Sequence, residues 1–107
     1  MTKRYYVQAD APDGHLVVTA SVTAQNTFTE ATEFDMRRPF NVSIEGTWSA
    51  TVLLQRSFDG GTTWYTVGSY TSVQELLVDT TESGVLWRCG VATGGFTSGT
   101  VAIRLSQ

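Results

Sequence analysis

The chain carries one cysteine, Cys89, and one histidine, His15, among its 107 residues. A single thiol closes no intramolecular disulfide, so the small secreted folds that depend on disulfides are excluded and this fold must hold by packing. One thiol and one imidazole also cannot assemble a Cys/His zinc site or a two-histidine motif within one chain. No metal and no other cofactor is expected. Charge is scarce too, at 16% with a net −3, against about 25% in an average soluble domain. Such a surface gains nothing from counterion release, so nucleic acid is not an expected partner. No apolar run approaches the ~18 residues of a spanning helix, which argues against a membrane segment or a secretory leader. Helix formers are few, with one Lys, seven Leu and eight Ala.

β-Branched residues are abundant instead: seventeen Thr, twelve Val and two Ile. Their stiff side chains favour extended backbone. Phe40, Val42 and Ile44 alternate with polar neighbours, and Gly46 is expected to end that strand. Trp48, Ala50, Val52 and Leu54 read as the apolar face of the next. Residues 64–70 form a return strand, and residues 74–79 follow with Leu76 and Val78 inward. Val85, Trp87, Cys89 and Val91 alternate inward, as do Val101, Ile103 and Leu105 after a turn at Thr93-Gly94-Gly95. Seven or eight short strands with regular turns predict an all-β chain, an antiparallel β-sandwich.

The N-terminal part is less regular. Residues 15–22 are β-rich, and residues 28–34 alternate loosely, with Phe28, Glu30, Thr32 and Phe34 on one side. The spacing of Phe28, Ala31 and Asp35 also suits a helical turn. Arg37-Arg38-Pro39 breaks the pattern. Residues 1–38 are therefore read as an N-terminal arm with the first strands, attached to a compact core over residues 39–107, one domain in all. Pro12-Asp13-Gly14 is a turn signal. Ahead of it, Arg4-Tyr5-Tyr6-Val7-Gln8 reads as an edge strand or assembly arm that a neighbouring chain would complete.

Chemistry is sparse. The carboxylate pairs Glu30/Glu33 and Asp79/Glu82 sit in polar stretches, without the burial that divides acid from base. Cys89 alternates inward and reads as a small buried hydrophobe. His15 has no assignable partner, and Asn41-Val42-Ser43 is a three-residue sequon that chance supplies. No enzymatic activity is expected. Aromatics and arginines are what interfaces concentrate, which singles out Arg4, Tyr5, Tyr6, Val7, Arg37, Arg38, Tyr70 and Phe96 as candidate interface residues. Tyr65 belongs to the same surplus of aromatics.

Three resemblances stand beside this reading. Ser57-Phe58-Asp59-Gly60-Gly61-Thr62-Thr63-Trp64 resembles the Asp-box, S-x-D-x-G-x-T-W, at Ser57, Asp59, Gly61, Thr63 and Trp64. The resemblance implies a structural hairpin in which the Asp carboxylate accepts backbone N–H bonds and Trp anchors the turn. The segment from Asp79 to Cys89 is similar to the approach to the sixth strand of immunoglobulin-like domains, with Trp87 where those have Tyr and no second Cys. An immunoglobulin-like sandwich is the implied architecture. Finally, RPFNVSIEGTWSATVLLQRSFDGGTTWYTVGSY and GVLWRCGVATGGFTSGTVAIRLSQ resemble a group of small β-rich proteins of tailed bacteriophages. That resemblance implies a virion component, a head decoration or cement protein bound to the major capsid protein and assembled as a dimer or trimer. A carbohydrate- or receptor-binding module of a tail, neck or fibre is the alternative.

Overall fold

The structure is a computed structural model that describes residues 16–107. The interface candidates Arg4, Tyr5, Tyr6 and Val7, the expected turn at Pro12-Asp13-Gly14 and His15 lie outside the described residues. Nine strands follow: β1 (Val17–Val22), β2 (Thr27–Phe28), β3 (Thr32–Glu33), β4 (Phe40–Ala50), β5 (Val52–Ser57), β6 (Tyr65–Tyr70), β7 (Gln74–Val78), β8 (Leu86–Val91) and β9 (Phe96–Ser106). They form two antiparallel sheets, ordered β1-β9-β4-β7 and β2-β8-β5-β6, with β3 also pairing with β8. This is the expected β-sandwich.

Its connectivity is not immunoglobulin-like. β1 pairs with β9, β2 and β3 with β8, β4 with β7, and β5 with β6. Those pairs are nested, as in one long hairpin wound around a core, and the order is that of a jelly roll when β2 and β3 are counted as one interrupted strand. Side-chain alternation reports which face a residue takes but not which strand lies beside it. The segment that resembled an immunoglobulin strand forms β8 between β5 and the short β2 and β3. Trp87 nevertheless makes a comparable pin, since its indole N–H donates to the Thr80 hydroxyl at 3.2 Å inside the protein.

The core draws on both sheets. Val42, Ile44, Val101, Ile103 and Leu105 face Val52, Leu54, Trp87, Cys89 and Val91, all essentially buried. At one end Phe34 stacks on Phe40 with ring centroids 4.3 Å apart, and Phe40 meets Trp87 edge-on at 5.0 Å. Leu16, Val22 and Phe34 belong to the same core, so packing shows no break at residue 38 and is continuous from Leu16 onward.

Two local expectations are corrected. Gly46 does not end a strand: β4 runs through it, with Gly46 paired to Val101 and Thr47 to Thr100. Its φ of 102° is the left-handed region that glycine tolerates, so the strand passes through the residue without stopping. The actual break falls at Thr51, where the chain leaves Ala50 in one sheet and starts Val52 in the other. The Thr51 N–H is satisfied by the Gly95 carbonyl at 2.7 Å. Residues 28–34, in turn, are neither a regular strand nor a helical turn. Thr29, Thr32 and Phe34 are buried while Glu30 and Ala31 are both exposed, because two short pairings to β8 are separated by an outward step.

Candidate functional site

The turn between β5 and β6 is built from its side chains. Ser57 is fully buried, and its hydroxyl donates to Asp59 Oδ1 at 2.7 Å while accepting the amides of Asp59 and Gly61 at 3.3 and 2.9 Å. Asp59 Oδ1 also accepts the Thr63 amide at 2.8 Å. These bonds favour an ionised acceptor, and the Thr63 amide first, then the Ser57 and Thr63 hydroxyls, hold the Asp59 carboxyl down at about 2. Gly61 has φ 98°, and the Trp64 ring approaches the point where its Cβ would sit to 3.7 Å. All five residues singled out in this motif thus meet in one turn, with structural roles.

Trp64 also opens a second arrangement on the outer face of this sheet. The Arg88 guanidinium lies between two rings, its Cζ 4.2 Å from the Trp64 centroid and 3.9 Å from that of Phe28. Arg88 Nε donates to Gln55 Oε1 at 2.9 Å, and Gln55 Nε2 to the Thr66 hydroxyl at 3.1 Å. Removal from water lowers the arginine's pKa, and the two π-faces partly replace the lost hydration. Sequence reading missed this stack because Phe28, Trp64 and Arg88 become neighbours only once β2, β8 and the β5–β6 turn are in register.

The interface candidates are scattered. Tyr70 and Phe96 are half-buried and pack against the core. Arg37 is exposed and held by a two-point pair with Asp35, Nε to Oδ1 at 2.9 Å and Nη2 to Oδ2 at 2.7 Å. Arg38 is exposed. The exposed apolar side chains are others: Phe58, Tyr65, Val67, Val73 and Leu77, with Met36 apart from them. Tyr65 and Val67 lie on β6 and Leu77 on β7, the edge strands of the two sheets, joined by residues 71–73. Phe58 and Tyr65 form a ring pair at 6.1 Å, and the Arg56 guanidinium lies 5.1 Å from Phe58.

Two further features emerge from the pairing. A shallow groove of about 340 Å³ sits where the chain crosses between sheets, lined by Trp48, Ser49, Thr51, Thr71, Gly95 and Thr97 among others. Trp48 is fixed there by an N–H bond to the Glu45 carbonyl at 3.0 Å. On the outer face of the other sheet, Glu45 and Glu75 lie close enough for their interaction to raise the pKa of Glu45 and lower that of Glu75. The Ser43 hydroxyl donates to Glu75 at 2.6 Å. The sequence showed these carboxylates only as separate outward positions, since the β4–β7 register is what joins them. Burial pushes the Cys89 thiol up to about 12, as an inert core residue requires. The carboxylates weighed from sequence do not gather: Glu33 accepts the Gly84 amide at 2.6 Å, while Glu30, Asp79 and Glu82 are exposed.

No family model, no curated protein and no solved structure matches this chain.

Proposed function

We propose that the chain is a non-enzymatic structural component of a tailed-phage virion, a head decoration or cement protein that docks on a lattice of major capsid protein. The observation that carries this reading is the flank formed by β6 and β7. There Tyr65, Val67 and Leu77 stay exposed beside open strand edges, a surface suited to protein partners. The side chains of Ser57, Asp59 and Arg88 are engaged within the chain itself. The resemblance of residues 38–70 and 84–107 to small phage proteins directs the choice of partner.

The test is co-sedimentation of purified chain with phage heads assembled without it. Saturable binding to heads, with a higher head melting temperature, supports the reading, and absence of binding overturns it. A second reading, a carbohydrate-binding module of a tail or fibre, draws on the Trp48 groove, where an aromatic ring and the hydroxyls of Ser49, Thr51, Thr71 and Thr97 border one depression. Glycan binding that is lost in Trp48→Ala would favour it.

A further inference from the structure

An edge strand exposes a row of unpaired N–H and C=O groups, and proteins usually blunt such edges with charge, proline, short length or a cover. The two sheets have edges at β1, β2 with β3, β6 and β7. β2 and β3 are two residues each, too short to template a partner. β7 contains Glu75, already in contact with Glu45. On β1 the apolar side chains Val18, Ala20 and Val22 are taken up by the core. β6 differs from β7 in its lack of charge and from β1, which is also uncharged, in its exposed apolar side chains. Its six residues, YTVGSY, hold neither charge nor proline, and Tyr65 and Val67 remain 53% and 44% exposed. Among the described residues, β6 pairs on one side only, with β5.

We infer that the free edge of β6 is a self-association surface, on which a second copy of this chain adds its own β6 antiparallel across a two-fold axis. An uncharged strand can face its own copy with no like charges opposed, which the charged β7 cannot do without confronting Glu75 with its equivalent. The register also locates the contact. Leu54 pairs with Gly68 and Gln55 with Thr66, which leaves Val67 as the extra residue of a bulge. Residues 68–70 therefore present the regular stretch, with Ser69, exposed and uncharged, nearest the axis. Exposed apolar groups flank residues 68–70 on both sides, Phe58 and Tyr65 before them and Val73 after them. The product is a pair of sandwiches sharing one continuous sheet. This goes beyond the virion reading and does not rest on it, because self-association is measured on purified protein without any phage particle.

The experiment is sedimentation equilibrium over a wide concentration range on the full chain, Ser69→Lys, Ser69→Glu and their equimolar mixture. Melting midpoints on dilute samples verify that each variant folds. The wild type is expected to show a monomer–dimer equilibrium. Each variant alone should weaken the dimer by at least about tenfold, the size of one opposed charge pair of ~1.4 kcal/mol, and the mixture should restore it as a heterodimer. A wild type that stays monomeric, single variants that dimerise normally, or a mixture that does not recover association would each overturn the proposal. So would association that survives both substitutions but disappears on deleting residues 2–10, which would make the N-terminal segment the occupant.

Discussion

Gln107 and Asp35, seventy-two positions apart, are joined by two hydrogen bonds: Gln107 Oε1 accepts the Asp35 amide at 2.7 Å, and Gln107 Nε2 donates to the Asp35 carbonyl at 2.8 Å. The side-chain amide mimics a strand partner and satisfies a backbone segment that belongs to neither sheet. Nε2 also donates to the Arg38 carbonyl at 2.9 Å, and the Gln107 backbone exchanges bonds with Leu16 at 2.9 and 3.2 Å. One residue thus ties the start of β1 and the link before β4 to the end of β9.

Gln107→Ala should therefore lower unfolding stability by about 1–2 kcal/mol, the scale for stranding partly buried backbone groups. Gln107→Glu should cost more at neutral pH than at pH 4, because a carboxylate cannot donate to the two carbonyls. Denaturant melts at both pH values check this, and a Gln107→Glu variant as stable as wild type at pH 7 would show that Nε2 adds nothing.

Asp59 predicts an acid-side signature. Its folded pKa of about 2 lies below the ordinary 3.8, so its stabilisation is complete above the unfolded value and is lost as pH falls from about 4 toward 2. In Asp59→Asn the melting midpoint should be lower at pH 7, and the gap to wild type should narrow below pH 4. Asp35, whose pKa is lowered by its bonds from Arg37, also loses stabilisation as pH falls and leaves a residual slope in the variant. A gap that is constant from pH 7 to pH 2 would mean that the carboxylate's charge is irrelevant to the turn.

The strands from Phe40 onward were legible because one face is buried and the other wet, and a period of two records that directly. The Ser57–Trp64 turn was legible because its bonds are local, spanning two to four residues. Topology was not, since β1 meets β9 and β4 meets β7 through contacts that no local pattern encodes. The same limit hid the Arg88 stack and the Glu45–Glu75 pair. The partial cover of Tyr70 escaped the sequence for a different reason. Its ring folds back along its own strand over Gly68, so an aromatic on an edge strand is partly covered without any partner.

Gly46 gives a sharp test of the corrected β4. A Cβ there would run into the Thr100 carbonyl oxygen, and φ is 102°, a conformation that costs an L-residue of order 1–3 kcal/mol before any clash. Gly46→Ala should destabilise by about 2–4 kcal/mol, adding the displacement of β9 to that strain. The spectrum should stay that of a β protein, since β4 is paired with β9 on both sides of this residue. A loss under about 0.5 kcal/mol in urea melts would show that the backbone at residue 46 relaxes freely.

Arg88 offers the last test, of whether its stack between Phe28 and Trp64 stabilises the outer face or merely covers it. Lysine keeps the charge but loses the flat guanidinium that fits between two rings and the Nε bond to Gln55. Arg88→Lys should therefore cost about 1–2 kcal/mol, and Trp64 emission should shift to the red as its ring gains water. Coupling separates the causes: in a cycle with Trp64→Leu, a stacked pair gives an interaction energy of about 0.5–1 kcal/mol, whereas independent groups add. If the two losses sum, the Trp64 ring adds nothing to the arginine's contribution, which then rests on Phe28 and the Gln55 bond.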